Sequence, residues 1–170
     1  MTQDYFRLFG LPARFDIDAA ELARRHRELI RQWHPDRFAR GSDEERRVAV
    51  ATSARLNDGL KVLRDPLERA RHLLALNGVS TDEETDTVMD TAFLAEQLAW
   101  RERLEESGGD PEVAAALTSE VAACGADKQR ALASALGEAA DWAAARRLVR
   151  ELQFLRRFER ELDEARTGVS

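Results

Sequence analysis

The 170 residues are 44% hydrophobic and 34% charged, with a net charge of −6. That balance suits a globular chain with one sizeable core or two small ones, and no apolar run approaches the roughly 20 residues a membrane helix needs. The single cysteine, Cys124, excludes an internal disulfide and a cysteine-based zinc site, and the opening MTQDYFRLFG lacks the basic-then-apolar order of a secretory signal, so a cytoplasmic location is expected.

Strand signals are missing: there is no sustained period-two alternation and no Asn-Gly or Asp-Gly hairpin turn. An all-α chain is expected, beginning with a short helix near 4–9 and a longer one near 18–33. Asp18, three residues before Glu21, marks the start of the second helix, and Pro35 forces its end at about Trp33 or His34. Helices follow near 43–64, started by Ser42 with Glu45, and near 66–77, started by Asp65 with Glu68 and Pro66 at the first position. Gly78 supplies a stop. The stretch NGVSTDEETDTVMD at 77–90 is acidic and aperiodic, and it reads as a linker over 77–89. Three further helices are expected near 90–106, 111–135 and 139–166, with Asp110-Pro111 and Gly137 as start and stop and Gly125 as a place where the sixth could divide. Two units follow, 1–76 and 90–170, the second a three-helix bundle.

The two parts differ in charge. Residues 1–75 carry +3 and residues 76–170 carry −9. The acidity argues against nucleic acid as a partner, since phosphate contacts need clustered cations, and the basic first part suits an acidic protein surface. In the second helix Leu22, His26, Leu29, Ile30 and Trp33 share one face and point to a core, while Arg24, Arg27 and Arg31 line another with Arg25 close by. Leu56, Leu60 and Leu63 give the 43–64 helix a matching stripe, so the two can pack antiparallel.

The cationic stripe ends at His34-Pro35-Asp36. Three readings of the triplet compete. A catalytic pair would need a nucleophile and oxyanion donors that the chain does not suggest. A metal site would need ligand-spaced histidines, and His26, His34 and His72 have no such spacing, so no metal or cofactor is expected. A plain turn needs no function at all. Beside an arginine-rich face, an exposed carboxylate on a rigid loop can also pair with an arginine of a partner protein.

The second unit carries apolar residues in surplus. Phe93, Trp100 and Leu104 supply a core stripe for the 90–106 helix, yet Leu94 and Leu98 form an offset stripe that continues to Glu102. In the last helix Leu148, Leu152, Leu155 and Leu162 hold one face, while Phe154 and Phe158 project from another. Either the bundle buries a wide face, or these residues form a patch for a partner. His26 reads as a packed, hydrogen-bonded ring, Trp33 as core beside the loop, and Cys124 as a small buried filler.

DYFRLFGLP at 4–12, the capped helix ending in WHPDRF, and LNDGLKVLRDPLERARHLL at 56–74 resemble a J-domain. Together with DTAFLAEQL at 90–98 they resemble the HscB family, J-domain co-chaperones of bacterial iron–sulfur cluster assembly. The resemblance runs along nearly the whole chain. It implies an N-terminal J-domain followed by a C-terminal three-helix client-binding domain, and a protein that is not itself an enzyme. It implies that His34, Pro35 and Asp36, with Arg24, Arg27 and Arg31, engage the DnaK-type chaperone HscA and accelerate its ATP hydrolysis. It also implies that Leu94, Ala95, Leu98, Ala99, Glu102 and Phe154 hold the scaffold IscU, with Ala95 where the family often has Met and Ala99 where an acidic residue occurs. A general J-protein with other clients would share the first unit and differ in the second.

Overall fold

A computed structural model describes residues 3–81, 90–138 and 140–167. Among these residues there are seven α-helices and no strand: α1 Tyr5–Leu8, α2 Ala19–Trp33, α3 Asp43–Arg64, α4 Pro66–Leu76, α5 Thr91–Glu106, α6 Pro111–Ala135 and α7 Trp142–Thr167. The chain forms two compact units, Met1–Gly78 and Val79–Ser170. Positions 82–89, most of the expected linker, lie outside the described residues.

Helix boundaries follow local chemistry. Asp18 accepts from the backbone N–H groups of Ala20 and Glu21, and Asp65 from those of Leu67 and Glu68. These contacts satisfy donors that have no partner within the helix. The reciprocal capping box is complete at Ser42, whose hydroxyl accepts from Glu45 N–H while the Glu45 carboxylate accepts from Ser42 N–H at 2.7 Å. Glu21, expected to play the same part at α2, instead turns its carboxylate to Arg24 and Arg25. Gly125 does not divide α6, which runs unbroken from Pro111 to Ala135.

In the first unit α2 and α3 are antiparallel, since His26 bonds Asn57 while Trp33, seven residues on, bonds Ser53. The base of this hairpin is covered by α1 and α4. Gly59 makes room there: a Cβ at that position would stand 2.8 Å from Tyr5 and 2.9 Å from Phe9. Arg25 donates to the carbonyls of Phe9 and Gly10, tying the turn after α1 to α2. Phe6, Phe9, Leu22, Leu56 and Leu63 are buried, each contributing about 1.5–3 kcal/mol. The expected core stripe of α2 is buried only at Leu22. His26, Leu29, Ile30 and Trp33 are half-buried. His26 is nonetheless hydrogen-bonded as expected, to Asn57 Oδ1 at 3.0 Å.

The second unit is built on the α6 and α7 pair, with α5 laid over it. Phe93 and Trp100 of α5 meet Phe154 and Phe158 of α7 in a closed quartet. Its ring contacts are Phe93 to Phe154 at 5.9 Å, Phe154 to Phe158 at 5.9 Å, Phe158 to Trp100 at 6.1 Å and Trp100 to Phe93 at 6.4 Å. Such pairs add about 0.5–1.5 kcal/mol each beyond their burial. Of the two readings open for the second face of the last helix, the wide buried face holds for Phe154 and Phe158, which are 8% and 0% exposed. Because α5 covers a second side of α7, that helix buries two faces.

His72 of α4 links titration to the fold. Its Nε2 accepts from Tyr5 N–H at 3.1 Å, and its buried ring stacks on Phe6. Desolvation pushes its pKa below the ordinary 6.5, against a smaller opposing pull from Asp4. Above pH 6.5 the ring is neutral in both states and stability is full. As pH falls below 6.5 the unfolded chain takes up the proton first, so stability declines until the folded ring itself titrates. His72→Gln keeps an acceptor for Tyr5, and thermal melts should show a smaller drop in Tm between about pH 7 and 5.5 than wild type.

Candidate functional site

The tip of the first unit is organised by Pro35. It cannot extend α2, and the chain passes through His34 at φ −62°, ψ 130° into a single 3-10 turn, Pro35–Phe38. The rigid loop expected after the second helix thus takes the form of one 3-10 turn. Three contacts hold the turn. Ser53 donates to Trp33 O at 2.7 Å, Arg37 donates to Arg31 O at 3.0 Å, and the Trp33 and Phe38 rings stack at 6.0 Å.

His34 caps the turn with its own ring. Nδ1 lies 3.3 Å from the Asp36 N–H and 3.5 Å from Asp36 Oδ2. A neutral ring with a bare Nδ1 accepts the backbone N–H, and a protonated one faces the carboxylate, so in both states its polar contacts lie with Asp36. The Asp36 side chain is 90% exposed and that of His34 51% exposed. Asp36 therefore offers its carboxylate to solvent from a fixed backbone. That geometry suits an intermolecular ion pair, not acid–base chemistry in a closed pocket.

The three arginines of the α2 stripe are not equivalent. Arg24 is clamped between Glu21 at 2.8 Å and Glu28 at 2.6 Å. The hydrogen bonds from Arg24 and then Arg25 pull the Glu21 carboxyl down to about 2. Arg24 is thus neutralised where it stands. Arg27 and Arg31 are exposed and form no side-chain ion pair among the described residues. Arg37, Arg40 and Arg47, absent from the expected set, are also exposed near the turn. The signal for the first two was present in the run DRFAR after the proline.

On α5 the structure separates the expected scaffold residues. Leu94 is 40% and Leu98 62% exposed, and Ala95, Ala99 and Glu102 are exposed beside them. Phe154 is in the quartet behind α5, its ring covered by Arg101 at 5.7 Å. Gln97, which periodicity did not single out, is buried between the turns of Phe93 and Trp100. Cys124 is half-buried, not fully so, with Sγ 3.8 Å from Glu96 Oε2, and burial raises its pKa. No helix among the described residues is long and apolar enough to cross a membrane, and no group of described residues is arranged to hold a metal ion.

The chain is similar to known proteins along almost its full length. Residues 89–163 match the family model described as the HSCB C-terminal oligomerisation domain. A Bordetella petrii protein described as a co-chaperone protein HscB homolog is 48% identical over 165 residues, 97% of each chain. The structure of the chaperone HscB from Vibrio cholerae aligns with a TM-score of 0.81 at 34% identity, covering 99% of this chain and 100% of that one. Human co-chaperone protein HscB aligns with a TM-score of 0.88 at 29% identity, covering 99% and 84%. An N-terminal J-domain joined to a C-terminal three-helix bundle, with this identity over almost its full length, places the chain in the HscB family of co-chaperones.

Proposed function

We propose that the protein couples an iron–sulfur scaffold to a chaperone: it binds IscU, presents it to the DnaK-type chaperone HscA, and stimulates HscA's ATPase. The observation that carries this reading is the almost fully exposed Asp36 carboxylate, held on a proline-stiffened turn next to the uncompensated Arg27 and Arg31. An acidic groove on the chaperone would be drawn by the arginines and would meet Asp36 with a cation of its own. His34 orients Asp36 by engaging its backbone and carboxylate, and Pro35 sets the angle of the turn. The protein itself performs no hydrolysis in this scheme.

The scaffold docks on α5. Leu94 and Leu98 are two of the four large apolar side chains exposed among the described residues, and they stand one helical turn apart. Ala95, Ala99 and Glu102 complete the surface. Phe154 serves it from below, setting the height of α5 through its contact with Phe93.

His34→Gln should abolish stimulation of HscA ATP hydrolysis while leaving the helical circular-dichroism spectrum intact; retained stimulation would overturn the docking assignment. Near 0.15 M salt, where interactions beyond about 8 Å are screened, Arg27→Ala and Arg31→Ala should each weaken HscA association by roughly 3–10-fold. Arg24→Ala should cost less than either, since Glu21 and Glu28 already cancel its charge. Titration calorimetry would show the order. Replacing Leu94 and Leu98 together by Ala should lower IscU affinity by about tenfold or more without changing the stimulation measured in the absence of scaffold.

A further inference from the structure

Where α2 stops, two of its carbonyls lose the donors that a continuing helix would supply. Arg31 O would accept from the N–H of residue 35, which proline lacks, and Trp33 O from that of Arg37, which the 3-10 turn sends instead to His34 O at 3.0 Å. Side chains supply the replacements. Arg37 Nη1 donates to Arg31 O at 3.0 Å from within the turn, and Ser53 Oγ donates to Trp33 O at 2.7 Å from the middle of α3.

The Ser53 bond is unusual for its place. A serine or threonine inside a helix commonly turns its hydroxyl back to the carbonyl four residues earlier. Thr118 does so to Ala114 O at 2.8 Å, and Ser119 to Ala115 O at 3.2 Å, both in α6. Ser53 instead sends its hydroxyl to another helix, 20 residues away in sequence. The accepting carbonyl belongs to the planar peptide that links Trp33 to His34. The bond therefore fixes the plane of that peptide, and a rotation there would swing the turn and the Asp36 carboxylate with it. His26 and Asn57 join the same two helices farther from the tip and exert no such hold. Ser53 and Trp33 are only half-buried, so water can reach Trp33 O when the hydroxyl is absent. The bond thus matters more to the direction of the turn than to the stability of the fold.

We propose that Ser53 is a positioning residue for chaperone docking: from α3 it sets the angle at which the turn presents Asp36 relative to Arg27 and Arg31. This role rests on the chaperone-docking reading above and deepens it, since the hairpin of α2 and α3, and not α2 alone, becomes the unit that addresses the chaperone.

HscA ATP hydrolysis measured across a concentration series of the full chain, as wild type, Ser53→Ala and Ser53→Thr, tests it. Alanine is a better helix former than serine, so α3 persists in Ser53→Ala and its circular-dichroism spectrum should match that of wild type. Stimulation at saturation should fall about threefold or more. The concentration giving half of it, and the salt dependence of that concentration, should stay near wild type, because Arg27 and Arg31 precede the bond and still steer the encounter. Ser53→Thr, which keeps the hydroxyl, should recover most of the lost stimulation. A full ceiling in Ser53→Ala, or one lowered equally in both variants, overturns the role, and so does a loss confined to the half-saturating concentration. His34→Gln in the same series separates the two readings. If stimulation also survives His34→Gln, docking through the turn falls as well; if His34→Gln abolishes it while Ser53→Ala keeps the full ceiling, only the positioning role is lost.

Discussion

Pro35 has no backbone N–H, and the geometry of the functional tip depends on that missing donor. A residue able to donate would let α2 run on past Trp33 and carry Asp36 around the helix axis. The proline instead holds His34 extended and starts a new turn, whose first N–H after the proline is taken by the His34 ring. Asp36 thereby becomes a carboxylate fixed at its backbone and 90% exposed at its side chain. The contacts from Ser53 and Arg37 to carbonyls at the end of α2 matter for the same reason: they complete hydrogen bonding that the proline interrupts.

The second unit solves a different problem, which is how a helix can keep apolar residues exposed without losing its seat on the bundle. The aromatic quartet answers it. Phe93 and Trp100 anchor α5 to Phe154 and Phe158 firmly enough that Leu94 and Leu98, on the adjoining face, are not needed for packing. Arg101 closes the edge of the quartet, lying over both phenylalanine rings while pairing with Glu161. Exposed leucines in a charged surface are expected to be either tolerated or used. Here their spacing and their firm support favour use.

Much of this was legible from residue order. Caps at Asp18, Ser42, Asp65 and Asp110 are short-range chemistry, so those helix starts could be read to within a residue or two. What could not be read depended on contacts between segments distant in sequence. Phe154 looked surplus because α7 was judged alone; only the placement of α5, some sixty residues earlier, buries it. Arg24, Arg27 and Arg31 share a face and look alike, and spacing alone leaves the pairing open, since Glu28 stands four residues after Arg24 and three before Arg31; the structure puts both Glu21 and Glu28 on Arg24. Glu151 lies in the charged run RRLVRELQFLRR, where nothing marks one glutamate as buried. Its environment is made by Lys128 and Phe93 from two other helices.

The charge asymmetry between the two parts acquires a structural meaning from these details. In the first unit the net positive charge is not spread evenly: the clamp at Arg24 cancels the base of the α2 stripe, leaving Arg27 and Arg31 to concentrate the field beside Asp36. In the acidic second unit several carboxylates are already spoken for, Glu120 by Arg103 and Glu161 by Arg101. Glu151, buried in the bundle, lies between Lys128 at 2.7 Å on one oxygen and Arg147 at 4.0 Å on the other. Local pairing, more than net charge, therefore decides where each unit can attract a partner.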